Sequence, residues 1–182
     1  MSRERGSRPP GMIYVLWGSG KGKTTSAIGM ALRALGHGWR VHVLQFMKRG
    51  PLTQAGEIDA LASLERVSVE RFGADEWVVG EITPAEGAAI EEAVGAASEA
   101  VSSGRFDLVV LDEILYAVCF GVLSEEQVVG LLQRRAAATD VVLTGGWTQC
   151  AKIVQMADLV TEMKKVKHPF DLGAHPREGI EF

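Results

Sequence analysis

Residues 18–25 read Gly-Ser-Gly-Lys-Gly-Lys-Thr-Thr. They stand between a continuous apolar run, Met12–Trp17, and a stretch in which Ala27, Ile28, Ala31, Leu32 and Leu35 recur at helical spacing. The first flank predicts a strand covered on both faces, and the second an amphipathic helix ended by Gly36 and Gly38. A strand, a glycine-rich turn and a helix in that order constrain the chain strongly. Successive N–H groups of such a turn converge on one concavity, and the helix behind it adds its unpaired amides and positive end. That concavity suits phosphate. Lys23 would bring a point charge to it, and the Thr24 hydroxyl would reach a Mg²⁺ ion, so Lys23 is expected to face solvent or ligand rather than core. The glycine frame is one residue shorter than the usual G-x-x-x-x-G-K-[ST], because Trp17 stands five residues before Gly22 and the first glycine is Gly18.

The rest of the chain alternates. Val41–Phe46 completes a strand-helix-strand unit, whose crossover is right-handed. From Met47 to Leu64 a loop is expected with at most a short helix at 59–64, followed by a third strand at Val67–Phe72. Thr83, Pro84 and Glu86 supply the N-cap, first-position proline and capping carboxylate of a helix. Its buried stripe is Ile90, Ala93, Val94, Ala97 and Val101, and Gly104 stops it. Leu108–Leu111 is a short apolar strand. Ser124 and Gln127 make a second capping box ahead of Val128, Leu131 and Leu132, in a helix closing on Arg134 and Arg135. A strand at Val141–Leu143, a helix at 148–156 and a strand at Leu159–Met163 follow. Such alternation predicts a three-layer α/β domain with a mainly parallel sheet, spanning 11–182 as a single domain behind a polar, basic flexible arm at 1–10. Residues 164–182 show no periodicity.

Composition excludes several classes. Nineteen Lys and Arg against 23 Asp and Glu leave a net charge of −4, so overall electrostatics make no case for nucleic acid. No window approaches the ~18 apolar residues of a membrane span, and Met12–Trp17 is shorter than the ~7–15-residue apolar core of a secretory signal. Cys119 and Cys150 are too few and too far apart for a disulfide framework or zinc cluster. They are expected to be reduced and buried, in a cytoplasmic protein. His37, His42 and His175 are isolated, and no Ser, Cys or His catalytic triad is evident.

Asp112 and Glu113 follow the strand at 108–111, so they emerge at the carboxyl edge of the sheet on the side of the phosphate loop. Acidic residues there hold a nucleotide's Mg²⁺ directly or through water. Because strand side chains alternate, only one of the two can face the metal directly.

Taken in order, GSGKGKTT, VLQFMK (Val43–Lys48), Gly56-Glu57, LDEILY (Leu111–Tyr116), VVLTG (Val141–Gly145), ADLVTEM (Ala157–Met163) and KHPFDLGAHPREGIEF (Lys167–Phe182) resemble the ATP:corrinoid adenosyltransferases of the CobA/CobO/BtuR type. The resemblance runs from Gly11 to Phe182, and the short loop is that family's own form. It implies a RecA-like P-loop NTPase fold and a homodimer. It also implies transfer of the 5′-deoxyadenosyl group of ATP to the Co(I) of a corrinoid, with release of triphosphate, in adenosylcobalamin synthesis or salvage. A flavin or flavoprotein would reduce the corrinoid. Since cobalt is the nucleophile, the protein's task is alignment and stabilisation of the departing triphosphate. Gly18, Ser19, Gly20, Gly22 and Thr25, with Lys21 and Lys23, suit that task. Mg²⁺ would rest on Thr24 and on Glu113, where the family carries its acidic ligand, or Asp112.

The chain also departs from that pattern. Of the family's Gly-Phe-x-Trp element, which presses on the corrin face, RFGADEWVVGE retains Trp77 but not the Phe, unless Phe72 substitutes. Thr-Gly-Arg has become Thr144-Gly145-Gly146. Lys164, Lys165, Lys167 and His168 form either a solvated basic face or a cluster in which Lys167 and His168 approach the triphosphate or the corrin. Two other classes could use the same loop. A P-loop kinase or ATPase would release ADP, and a non-catalytic module binding ATP or corrinoid would be compatible with the missing Phe and Arg.

Overall fold

The computed structural model describes residues 9–47, 56–73, 83–173 and 175–180. Six strands, β1 (Ile13–Trp17), β2 (Val41–Gln45), β3 (Val67–Arg71), β4 (Leu108–Asp112), β5 (Asp140–Gly145) and β6 (Leu159–Glu162), form one sheet in the order β3-β2-β4-β5-β1-β6. Every pairing is parallel. The expected three-layer α/β architecture is therefore the one found, with the sheet wholly rather than mainly parallel. The middles of the central strands β4 and β5, Leu108–Leu111 and Val141–Leu143, are apolar without interruption because helices cover both faces.

Side-chain alternation divides the core in two. Ile13, Val15, Leu44, Val109, Leu111, Val141 and Leu143 point into a layer covered by α3 (Pro84–Ser102), α4 (Ile114–Cys119), α5 (Glu125–Gln133) and α6 (Ala151–Met156). Leu16, Val41, Val43, Leu108, Val110 and Val142 point the other way, beneath α1 (Lys23–Gly36) and α2 (Gly56–Ala62).

Both anticipated capping boxes are present. Thr83 Oγ1 accepts the Glu86 N–H while the Thr83 N–H donates to the Glu86 carboxylate, and Ser124 and Gln127 repeat the exchange. Helix α2 begins earlier than expected, and α6 begins at Ala151 rather than near 148. Leu32 departs from its assigned role. It is 49% exposed, because the buried stripe of α1 runs through the small residues Ala27, Ala31 and Ala34, which let the helix lie close on the sheet. The N-terminal arm through residue 8 lies outside the described residues.

His42 is buried within β2. Its ring stacks on Phe106 at 4.6 Å, Nδ1 lies 2.7 Å from Ser68 Oγ, and Nε2 lies 3.7 Å from Glu70. Burial pushes its pKa below the usual imidazole value, outweighing the upward pull of Glu70 and the Ser68 contact, and Arg105 adds to the lowering. A histidine shifted downward binds fewer protons folded than unfolded. Its stability contribution is thus full above the unfolded value of 6.5 and is lost as pH falls through that value toward the folded one. The thermal midpoint should fall between about pH 7.5 and about pH 5.5, and His42→Gln should flatten the fall. Parallel slopes for the two proteins would remove His42 from the pH dependence.

Candidate active site

The glycine-rich loop leaves β1 at Trp17 and enters α1 at Lys23, with Gly22 as an N-cap that offers no side-chain acceptor to the first-turn amides. Its glycines are required by close backbone approach. The Gly20 N–H donates to the Met163 carbonyl at 2.6 Å, and the Gly18 N–H to the Gly146 carbonyl at 3.1 Å. A Cβ on Gly18 would lie 2.5 Å from Met163 O, and one on Gly20 2.8 Å from the Lys164 carbonyl. No side chain fits either place. The chain beyond β6 thus lies against the loop. Ser19 Oγ accepts the Lys165 N–H at 3.4 Å, and Lys21 Nζ donates to the Ile180 carbonyl at 2.7 Å.

Lys23 does not face solvent. It is 9% exposed, and its ammonium donates to the loop carbonyls of Gly18 at 2.8 Å and Gly20 at 2.9 Å. An ammonium has three donors and needs acceptors when buried. The loop's own carbonyls supply them here, so the charge is turned into the loop rather than outward.

Strand parity decides which carboxylate meets α1. Asp112 continues the series Leu108, Val110 on the α1 side of β4, and Gln45 and Thr144 continue the corresponding series on β2 and β5. Asp112 is fully buried. Its Oδ1 accepts from Thr24 Oγ1 at 2.9 Å and Thr144 Oγ1 at 2.7 Å, and its Oδ2 from Gln45 Nε2 at 3.1 Å. Glu113 has left the strand. It is half-buried with φ 66°, caps α4, and donates its backbone N–H to Thr144 Oγ1 at 2.9 Å. The carboxylate hydrogen-bonded to Thr24 is therefore that of Asp112.

These donors fit a small hard cation. Thr24 and Asp112 offer oxygens, and the neighbouring Gln45 Oε1 is buried without a hydrogen-bond partner. Among the described residues no group of three or more His, Cys, Asp or Glu could hold a metal. A divalent ion here would draw most of its shell from phosphate and water, which is how Mg²⁺ is ordinarily bound. Sequence reading quoted Gln45 and Thr144 only within longer motifs and gave neither side chain a role. Counting alternate positions back from the carboxyl ends of β2 and β5 would have found both.

The remaining candidates are scattered. Thr25 is exposed on α1, and Lys167 is exposed in the tail. His168 accepts the Phe170 N–H on Nδ1 at 3.2 Å, capping a 3-10 turn at Pro169–Leu172. Lys165 pairs with Asp171 at 2.9 Å and Lys164 with Glu162 at 4.0 Å, so much of the basic cluster is engaged locally. Trp77 lies outside the described residues. Phe72 does not offer a ring to a ligand, because it is packed into the core layer of α3 to α6. Gly146, where the family pattern has Arg, has φ 72°, and a Cβ there would lie 3.3 Å from Cys119 Sγ and from Leu115. Of the two free cysteines only Cys150 is buried, while Cys119 is partly exposed. Burial, with Cys119 and Glu125 in the same direction, pushes the Cys150 thiol up to about 11, which leaves it without nucleophilic character near neutral pH.

Three aromatic rings stand beside the loop. Tyr116, on α4, lies with its ring centroid 5.7 Å from Lys23 Nζ. Trp147, just after β5, is 5.4 Å from Tyr116 and packs edge-on against Phe120 at 5.1 Å.

A family model described as ATP:corrinoid adenosyltransferase BtuR/CobO/CobP matches residues 9–182. A corrinoid adenosyltransferase of Escherichia coli is 34% identical over 180 residues, covering 94% of this chain and 86% of that protein. One from Pseudomonas aeruginosa is 37% identical over 172 residues, covering 94% and 84%. The corrinoid adenosyltransferase CobA of Salmonella typhimurium is 34% identical over 180 residues, with 94% and 86% covered. The similarity therefore takes in the phosphate loop, the Asp112 network and the segment laid against them, and the chain belongs to the ATP:corrinoid adenosyltransferase family.

Proposed function

We propose that this chain transfers the 5′-deoxyadenosyl group of ATP to the Co(I) centre of a corrinoid. The observation that carries the reading is a phosphate loop with a buried lysine, joined through Thr24 to the Asp112 carboxylate, in a chain matched by the family over nearly its whole length. The cobalt electron pair forms the new bond to C5′ while the C5′–O bond breaks, and the electron pair of the broken bond departs on the triphosphate oxygen. The protein needs no nucleophile of its own. Lys23, Lys21 and the loop amides meet the charge that grows on the leaving group, a task best done by donors already in place. Thr24 and Asp112, with Glu113 beside them, hold Mg²⁺, which supplies further neutralisation of the triphosphate when bound. The enzyme works as a cytoplasmic homodimer on a corrinoid reduced by a flavin or flavoprotein.

The test is anaerobic incubation with ATP, Mg²⁺ and chemically reduced Co(I) corrinoid. The Co(I) spectrum should disappear with stoichiometric release of inorganic triphosphate. Release of ADP or of orthophosphate would identify phosphoryl transfer instead. Binding of both substrates without either product would leave a binding module.

A further inference from the structure

The aromatic group beside the loop has a specific shape. Trp147 is 48% exposed and Phe120 38%, although both are large apolar rings that would ordinarily be covered. They meet at an interplanar angle of 81°, so they form a notch rather than one flat wall. Tyr116 links the notch to the loop, its ring centroid lying 5.4 Å from Trp147 and 5.7 Å from the Lys23 ammonium. The backbone makes the same connection, because Gly146, the residue before Trp147, accepts the Gly18 N–H of the loop.

From this we infer that the notch formed by Trp147 and Phe120 receives the adenine of the nucleotide whose phosphates occupy the loop, a reading that rests on the loop's being the triphosphate site. A purine is flat and about the size of an indole, so it stacks on one ring while its edge meets the other, the offset and edge-on geometries that π-systems favour. The corrin macrocycle is several times broader and needs a continuous plane, which two rings set at 81° do not provide. Position argues the same way. Tyr116 is 5.7 Å from the Lys23 ammonium and 5.4 Å from the Trp147 ring, so a ligand seated on the loop has Trp147 within the span of one nucleotide. Trp147 and Phe120 are positioning residues in this scheme. Stacking fixes the nucleoside end of ATP so that C5′ is held still for attack.

The test compares ATP with inorganic triphosphate, in binding titrations of wild type, Trp147→Ala, Trp147→Phe, Phe120→Ala and Lys23→Ala. Trp147→Ala should weaken ATP about tenfold or more and leave triphosphate unchanged, since stacking a base on an aromatic ring contributes at about that level. Trp147→Phe should recover most of the loss, and Phe120→Ala should show a smaller loss of the same kind. Wild-type tryptophan emission should respond to ATP but not to triphosphate, and Trp147→Phe should remove that response. Unchanged ATP affinity in Trp147→Ala overturns the adenine assignment, and so does an equal loss for ATP and triphosphate. A raised corrinoid KM with ATP unaffected would give the notch to the corrin and overturn it as well. Lys23→Ala reports separately on the loop. Should that variant bind triphosphate as wild type does, the phosphate assignment fails, and the adenine assignment falls with it whatever Trp147→Ala shows.

Discussion

Lys23→Ala should lower kcat/KM by about 10²–10³-fold while leaving the chain folded. The side chain sits in a hollow walled by the loop carbonyls of Gly18 and Gly20, where water screens little and a fixed positive charge acts strongly on charge developing nearby. Its removal should weaken triphosphate binding and register again in the transition state, because the triphosphate gains charge as the C5′–O bond breaks. Lys23→Arg should not restore activity. A guanidinium is a planar fork that cannot reproduce a compact ammonium between two carbonyls. Steady-state kinetics with preformed Co(I) corrinoid, together with a circular dichroism melt, check this. Wild-type kcat/KM in Lys23→Ala would mean that the loop is not where the leaving group sits.

Asp112→Asn should raise the Mg²⁺ concentration needed for half-maximal rate by about 10–100-fold, and Glu113→Gln should raise it by less. Two hydroxyls, Thr24 and Thr144, both donate to one oxygen of the Asp112 carboxylate. An amide removes the negative charge on which they converge, and if its NH₂ faces them it replaces an acceptor with a donor. Thr24 then loses the partner that orients its oxygen. Glu113 is tied to the same network by its backbone, whose N–H donates to the Thr144 hydroxyl. Titrations of rate against Mg²⁺ in the two variants rank the carboxylates. If Glu113→Gln has the larger effect, the direct ligand is Glu113, as the family resemblance implies. Unchanged titrations in both variants would take the metal away from this edge of the sheet.

What could be read from the residues alone was mostly what neighbouring residues decide. The Thr83–Glu86 and Ser124–Gln127 boxes were legible because each is a hydrogen-bonded exchange within four residues. Strands β1, β4 and β5 were legible as short apolar runs, and β3 as an alternation of apolar and polar residues. Helix α4 was not, because it has six residues and opens on Glu113 at positive φ without a side-chain cap, so it shows neither a start signal nor a full amphipathic period. Leu32 was misplaced because the stripe of α1 follows alanines rather than the larger side chain. The Asp112 network was half legible. Its acid was visible at the strand end, but its partners come from β2, α1 and β5, and their meeting depends on strand order. Tyr116 and Phe120 stand one helical turn apart, yet nothing local says that Trp147 closes on them.

The strand that carries the glycine-rich loop is the first in chain order of the six among the described residues, but its neighbours in the sheet are the fifth and the sixth. During synthesis β1 therefore waits, without an edge to pair with, until more than a hundred further residues have been made. Contacts of such long sequence separation form late and slowly. The loop is therefore seated only after β5 and β6, which follow it in the chain, have joined the sheet. Binding at this loop, as proposed above, is accordingly open only to chains in which residues 140–162 have already taken their places beside β1.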